Sequence, residues 1–306
     1  MIQKPLVSIV LCAFVFSLTG CAGEPSLTGE QLRQRYPDQT YMSIDGVSLR
    51  YRQIGLGRPL VFLHGFLEDS RIWRQVTPGL TYGNTVYELD LMGCGLSEKP
   101  QDQTYDIATH VRQVRTFIET FHLENIILAG HDFGGIVATA YALRYPDNVH
   151  KLALMSTPLS SDPLSLNVRL LGIRFVGEAL SGDWMLRRIL KDGVLQPDAM
   201  SDAKVQEYLE PYQHDPGARR AVLKLLREFN LNQVIEREIL PKLDKLAMPT
   251  LLVWGGQDPY TTMDLARQLD VAIPQADLQV VTNTGHYLLE ERPEQVRAIL
   301  KEFIDT

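Results

Sequence analysis

The sequence predicts an α/β protein in which a mostly parallel sheet is covered by helices on both faces. Short apolar runs of strand length alternate with longer stretches whose apolar residues recur at helical spacing. The run at 125–130 is apolar along its length, as expected for a strand buried on both faces. Because alternating strands and helices build parallel sheets, the pattern predicts one α/β core.

The strands and helices can be assigned in order along the chain. Residues 41–55 are predicted to form a hairpin, because Asp45-Gly46 is a natural two-residue turn. Further strands are predicted at 59–65, 84–91, 125–130, 149–157, 249–256 and 277–283. Helices are predicted at 104–123, 134–146, 261–273 and 293–305.

The alternation is interrupted between residues 158 and 241. Amphipathic helical stretches follow one another there without a convincing strand between them. We interpret 158–241 as a helical cap inserted between two parts of one core, residues 39–157 and 242–306. Open α/β sheets bind ligands at the carboxyl ends of their strands, and the cap is expected to cover that edge.

The composition is ordinary for a soluble globular protein. The chain has 306 residues, of which 45% are hydrophobic and 22% charged, and its formal net charge is −7. Basic residues form no runs, so nucleic acid is not expected as a partner. No His, Cys or carboxylate group has metal-ligand spacing, and no phosphate-binding loop is present. We therefore expect neither a metal nor another cofactor.

The amino-terminal residues resemble a bacterial lipoprotein signal. Lys4 precedes an apolar stretch, Leu6–Leu18, that is too short for a membrane span of ~20 residues. The sequence Leu-Thr-Gly-Cys that ends at Cys21 resembles a lipobox, in which the chain is cleaved before the cysteine and the sulfur carries lipid. Residues 1–20 are therefore interpreted as the signal; the alternative is a plain signal peptide with a chance cysteine.

A lipid on Cys21 would anchor the protein to a membrane, and no other membrane contact is expected. Residues 21–38 are polar, contain two prolines and are interpreted as a tether. Ala22 follows the cysteine where aspartate could stand, which resembles outer-membrane sorting. The expected location is the cell envelope, at the outer membrane and facing the periplasm.

The motif that indicates most about the chemistry of the protein is Gly130-His131-Asp132-Phe133-Gly134. It matches the G-x-nucleophile-x-G turn between a strand and a helix, with aspartate in place of serine. Asp132 is expected to be anionic at neutral pH, so it can attack saturated carbon without a base. The product is an alkyl ester that water can hydrolyse. The alternative is that Asp132 is only a helix N-cap.

Three other motifs favour the catalytic interpretation. Residues 61–66 lie where an oxyanion loop would follow the third strand, Asp258 comes just past a strand end, and His286 just past the last strand. The order nucleophile, acid, histidine is that of α/β-hydrolases. Taken singly, Asp258 could cap a helix and His286 could be a surface-loop residue.

Together these motifs resemble the α/β-hydrolase superfamily over about residues 41–306. The elbow at 130–135 is similar to that of epoxide hydrolases and haloalkane dehalogenases, which use aspartate. The resemblance implies an eight-stranded, mostly parallel sheet with helices on both faces and a helical cap. It also implies a small apolar electrophilic substrate.

The resemblance implies roles for five residues. Asp132 would be the nucleophile, His286 would activate water for ester hydrolysis, and Asp258 would orient His286. Backbone N–H groups of Phe66 and Phe133 would hold the oxyanion. Where some dehalogenases carry the acid after the sixth strand, this chain has Ser-Thr and no carboxylate, which favours Asp258.

The chain departs from both families around the leaving group. Leu67 stands where both families usually have proline in the oxyanion loop. Phe66 and Phe133 stand where many dehalogenases have halide-binding side chains, and neither has a side-chain donor.

The candidate substrate contacts in the cap are Trp184, Tyr208 and Tyr212. Trp184 could supply an indole donor to a halide, and the tyrosines could polarise an epoxide oxygen. Loss of both halide donors from the core slightly favours an epoxide hydrolase. The alternatives are a haloalkane dehalogenase, an esterase-like hydrolase and a noncatalytic ligand-binding protein.

Overall fold

The computed structural model describes residues 25–160, 166–228 and 234–306. The predicted signal peptide and Cys21 lie outside these residues. The described strands are β1 (Thr40–Ile44), β2 (Val47–Gly55), β3 (Arg58–Leu63), β4 (Asn84–Leu89), β5 (Ile126–His131), β6 (Val149–Met155), β7 (Thr250–Gly255) and β8 (Ala276–Val281).

These strands form one eight-stranded sheet in the order β1-β2-β4-β3-β5-β6-β7-β8. Strand β2 pairs antiparallel with β1 and β4, and every other neighbouring pair is parallel. The prediction of a mostly parallel sheet is therefore confirmed. The parallel strands end at a common carboxyl edge, where the loops after β3, β5, β7 and β8 meet.

Helices cover both faces of the sheet, as the sequence predicted. Alternate strand residues point to opposite faces: Leu63 packs in a core with Phe117 and Val137, whereas Phe62 packs in another with Val296. The helices are α1 (Gly29–Arg35), α2 (Ile107–Thr120), α3 (Asp132–Arg144), α4 (Leu166–Gly172), α5 (Val176–Leu180), α6 (Asp183–Asp192), α7 (Asp202–Gln213), α8 (Ala218–Glu228), α9 (Met263–Ala272), α10 (Leu288–Glu291) and α11 (Pro293–Asp305).

The expected helical cap is formed by α4 to α8, which lie between β6 and β7. Helix α4 contacts α5, α6 and α8, and α7 contacts α6 and α8. Within the described ranges, no helix is both long and apolar enough to cross a membrane.

Part of the segment that we expected to be a tether belongs to the folded domain. The Thr28 side chain accepts a hydrogen bond from the N–H of Gln31, whose side chain accepts one from the N–H of Thr28. This reciprocal capping begins α1. Leu32 of α1 is buried. The tether expectation is corrected here, because general polarity hid a capping box and one buried leucine.

Glycines allow α3 to approach the sheet closely. A Cβ atom on Gly134 would lie 2.5 Å from the backbone oxygens of Leu63 and His64. A Cβ atom on Gly130 would lie 2.4 Å from the carbonyl oxygen of Gly134. Because only glycine fits at these two positions, the sequence fixes the first turn of α3 directly over the carboxyl ends of β3 and β5.

The variant Gly134→Ala is expected to push α3 away from β3. Overpacking of this kind should lower the free energy of unfolding by about 1–3 kcal/mol, measured by urea denaturation. Gly172→Ala is the matched control, since a Cβ atom there would meet nothing within 4 Å. Equal effects of the two substitutions would contradict the close-approach explanation.

Candidate active site

Asp132 is the first residue of α3 and follows directly on β5. Its backbone φ is 46°, in the left-handed region that non-glycine residues seldom adopt and that is concentrated at functional sites. Its carboxylate Oδ2 accepts a hydrogen bond of 2.9 Å from the N–H of Phe66. The carboxylate is therefore held in one orientation at a helix N-terminus, where the dipole favours an anion.

His286 lies between two carboxylates. Its Nδ1 is 2.9 Å from Oδ2 of Asp258, and its Nε2 is 3.8 Å from Oδ1 of Asp132. Asp258 also accepts the N–H groups of Tyr260 and Thr261, at 2.8 and 2.9 Å. These bonds hold Asp258 so that it orients the imidazole, whose other nitrogen faces Asp132. The structure thus brings the three sequence-predicted residues together.

The surrounding charges favour the protonated form of His286. Burial lowers the pKa of His286, but Asp258 and Asp132 raise it more strongly, and the net pKa is about 9. Burial raises the pKa of the Asp258 carboxyl, and the contact with His286 outweighs this and holds that pKa below its usual value. At neutral pH the ring is therefore an imidazolium between two carboxylates.

A second buried pair lies beneath the site. Nδ1 of His131 is 2.9 Å from Oε2 of Glu68, and Nε2 of His131 is 3.0 Å from the backbone oxygen of His286. The same Glu68 oxygen accepts the N–H of Gly65 at 2.7 Å. Burial raises the pKa of Glu68, but His131 outweighs it and holds that pKa below its usual value. The His131 ring therefore links the loop that carries Glu68 to the loop that carries His286.

The loop that carries His286 is hydrogen-bonded to the cap. The N–H of His286 donates to the carbonyl oxygen of Gly193, at 2.7 Å. Glu291 accepts the N–H of Gly285, at 2.8 Å, and those of Leu195 and Gln196, each at 2.9 Å. The segment after α6 and the histidine loop therefore form one hydrogen-bonded unit.

A cavity lies above Asp132, beneath the cap. Its polar groups come from the core, whereas the cap contributes aliphatic side chains. The cavity is lined by Phe66, Asp132, Phe133, Ile136, Pro158, Val168, Ile189, Leu225, Leu226, Tyr260, Thr261, His286 and Tyr287. A small, mainly apolar molecule fits this environment.

None of the three predicted cap contacts lines this cavity. Trp184 is 55% exposed on α6. Tyr208 is buried and donates to Oε1 of Glu290, at 2.6 Å. Tyr212 is buried with the Lys99 amino group 5.8 Å from its ring centre. The expectation that they touch substrate is corrected, because helical periodicity alone did not show which face of α6 and α7 meets the core.

The oxyanion loop has a backbone that proline could not adopt. Leu67 has a φ of 61°, whereas the proline ring holds φ near −65°. The departure at Leu67 therefore changes the shape of the loop. Phe66 donates its N–H to Asp132, and Phe133 lines the cavity as the second residue of α3.

Sequence reasoning missed Glu68, Tyr260 and Tyr287. The hydroxyl of Tyr260 donates to the carbonyl oxygen of Ile189, at 2.6 Å. In the part of the chain that the structure describes, no hydrogen bond engages the hydroxyl of Tyr287. Each of the three follows a recognised motif by one to three residues, and that proximity was the signal available in the sequence.

The sequence matches the family described as alpha/beta hydrolase fold over residues 58–293, and the chain belongs to that family. A cis-3-alkyl-4-alkyloxetan-2-one decarboxylase from Shewanella oneidensis is 27% identical, over 86% of this chain and 87% of the relative. A soluble epoxide hydrolase from a Corynebacterium species is 28% identical, over 83% and 92% respectively.

Among solved structures, the epoxide hydrolase CorEH is 25% identical, with a TM-score of 0.78 over 87% of this chain and 98% of its own. Cfl2 from Burkholderia cenocepacia is 28% identical, with a TM-score of 0.77 over 87% and 95%. These similarities support a hydrolase of the α/β-hydrolase superfamily.

Replacing Asp132 by asparagine removes one of the three carboxylates that raise the pKa of His286. The pKa of His286 is therefore expected to fall below about 9 in Asp132→Asn, as followed by NMR titration of the ring. Asp264→Asn, which changes an exposed carboxylate paired with Arg267, is the matched control and should leave the pKa unchanged. Equal titration of wild type and Asp132→Asn would show that the two side chains are not coupled.

Proposed function

We propose that this protein hydrolyses small apolar epoxides through an ester on Asp132. One observation carries the proposal: the Asp132 carboxylate is held by the Phe66 N–H at the base of an apolar cavity, with His286 Nε2 at 3.8 Å. The free oxygen of the carboxylate attacks a ring carbon, the ring C–O bond breaks and its electron pair stays on oxygen. The ester joins substrate to Asp132.

The alkoxide formed in this step needs a proton, and Tyr287 is the proposed donor. Burial raises the pKa of Tyr287 well above its usual value, so the hydroxyl stays protonated. It lines the cavity, and its ring centre lies 5.2 Å from that of His286. A donor at the leaving group suits an oxygen leaving group, because a halide departs without being protonated.

The second step hydrolyses the ester. Ester formation removes the negative charge of Asp132 and lowers the pKa of His286, so that His286 returns its proton to the Tyr287 phenolate and can then accept one from water. Hydroxide adds to the carbonyl carbon, the acyl C–O bond breaks, and Asp132 and a diol are released. The proton taken from water makes His286 an imidazolium again, and the proton of the added hydroxide ends on the diol, which completes the balance of one epoxide and one water.

We further propose that Cys21 carries lipid and holds the domain at the outer membrane, facing the periplasm. The support is the sequence: an apolar stretch too short to span a bilayer, followed by small residues and a cysteine. Tyr208, Tyr212 and Trp184 have no part in the proposed chemistry.

In His286→Ala, the ester on Asp132 is expected to form and persist, because the group that activates water is missing. Intact-protein mass spectrometry after incubation with an epoxide should show an adduct equal to the substrate mass. His286→Ala combined with Asp132→Asn is the control and should show none. Absence of the adduct with binding intact would contradict the mechanism.

Product analysis of the wild type separates the candidate chemistries when the substrate is varied. Diol release by the wild type supports the epoxide proposal, and halide release from haloalkanes would instead support a dehalogenase. Turnover of p-nitrophenyl esters alone would indicate an esterase. No turnover of any of them would support a ligand-binding protein.

Tyr287→Phe is expected to slow the first step about 100-fold, in the range that general acids contribute. Rapid-quench mass spectrometry measures ester formation and ester hydrolysis separately, and ester hydrolysis should change little. Tyr260→Phe is the matched control, because the hydroxyl of Tyr260 is already bonded to Ile189. Equal slowing of the first step in both variants would contradict the assignment of Tyr287 as the proton donor.

A further inference from the structure

We infer that the cap has a lipid-binding surface that seats the protein on an anionic bilayer beside its anchor. This surface, the cap apolar patch, consists of Ile173, Phe175, Val176 and Trp184. Their exposed fractions are 50%, 76%, 37% and 55%. Four of the nine exposed large hydrophobic residues thus fall within twelve consecutive positions of the described chain. Exposed apolar clusters of this kind mark interaction sites, whereas single exposed residues do not.

The backbone at Phe175 gives independent support. Phe175 has a φ of 67°, a strained conformation for a bulky residue, and this turn aims the ring into solvent. Phe175 therefore adds no core packing that would offset the strain. A phenyl ring and an indole are the side chains that favour the boundary between lipid and water.

The charges beside the patch fit anionic lipid headgroups. Arg169 and Arg174 are exposed, and no carboxylate lies within ion-pairing distance of either in the described residues. The Arg174 guanidinium lies 5.2 Å from the Phe175 ring centre. The nearby Glu178 is neutralised by Arg227, at 2.8 Å. The patch is locally basic although the chain carries a net charge of −7.

The start of the described chain lies against the cap. The N–H of Leu27 donates to Asp215, at 3.3 Å, and a Cβ atom on Gly217 would collide with Ser26. Cys21 precedes Ser26 by five residues, a reach of at most roughly 17 Å. A lipid on Cys21 therefore holds this end of the cap close to the bilayer.

Helix α8 runs from the place where the start of the described chain meets the cap to the cap apolar patch. Arg219, at its beginning, pairs with Asp183 beside Trp184, at 3.1 Å. Arg227, at its other end, donates to the carbonyl oxygens of Gly172 and Ile173, at 3.2 and 3.4 Å. The start of the described chain and both ends of the cap apolar patch thus lie along one helix about 16 Å long.

The cap layer that carries the patch also lines the substrate cavity. Val168 of α4, Ile189 of α6 and Leu226 of α8 face the cavity, while Ile173 and Trp184 face outward from the same cap layer. A cap that rests on the bilayer would place the cavity beside the hydrocarbon phase, where apolar substrates concentrate. The surface is independent of the chemistry at Asp132 and depends on the proposed anchor at Cys21.

Trp184 provides a direct test, because the other two tryptophans, Trp73 and Trp254, are fully buried. The acylated full-length protein is reconstituted into phosphatidylglycerol–phosphatidylethanolamine vesicles with or without brominated acyl chains. Brominated lipid is expected to quench the Trp184 emission and to shift the remaining emission to the blue. Trp184→Phe should abolish the quenchable component, which assigns the signal.

Ile173→Glu combined with Phe175→Asn should reduce the inserted fraction about tenfold or more, because apolar contact with lipid is lost. Val271→Glu, at an 87% exposed position on α9, is the matched control and should quench like wild type. No quenching in acylated wild type, or an equal loss in Val271→Glu, would overturn the proposal. Burial of Trp184 in a concentration-dependent dimer without vesicles would overturn it too.

Two other measurements distinguish a failure of the lipid anchor or of the catalytic chemistry from a failure of the patch. Intact mass reports whether Cys21 carries lipid, so loss of the anchor is recognised separately from loss of the patch. Diol formation from a water-soluble epoxide reports the chemistry of the site, which the patch variants should leave unchanged.

Discussion

The carboxyl edge of the sheet is held together by the buried ring of His131. One ring nitrogen is hydrogen-bonded to Glu68 in the oxyanion loop, and the other to the backbone oxygen of His286. His131 also directly precedes Asp132 in the chain. One ring thus joins three loops, and without it the buried backbone oxygen of His286 would lose this hydrogen bond and Oε2 of Glu68 would keep only the N–H of Gly65. The distances among Asp132, His286 and Phe66 depend on this arrangement.

Much of the fold was available from the sequence because its signals are local. The alternation of apolar runs predicted a parallel sheet, and the glycines at 130 and 134 predicted a tight turn that the Cβ geometry explains. Asp258 and His286 were identifiable because parallel strands deliver their following loops to one edge. Chain order and strand ends were sufficient to place both side chains near Asp132.

The cap was harder to predict because its contacts depend on three-dimensional packing. Tyr208 and Tyr212 have the right chemistry for polarising an oxygen, yet α7 directs them into the protein, where Tyr208 bonds to Glu290. The hydroxyl near the site comes instead from Tyr287, next to His286. At Leu67 the sequence showed the departure from proline, and the φ of 61° shows how the backbone differs there.

The bonds of Glu291 have a consequence for how molecules enter and leave. This carboxylate accepts N–H groups from both the histidine loop and the segment after α6, and Gly193 accepts another from His286. The cap is therefore hydrogen-bonded to the histidine loop through the segment after α6, and opening the cap there would also displace His286. A movement of the cap elsewhere, such as around α4, would leave these hydrogen bonds to the histidine loop intact and His286 in place.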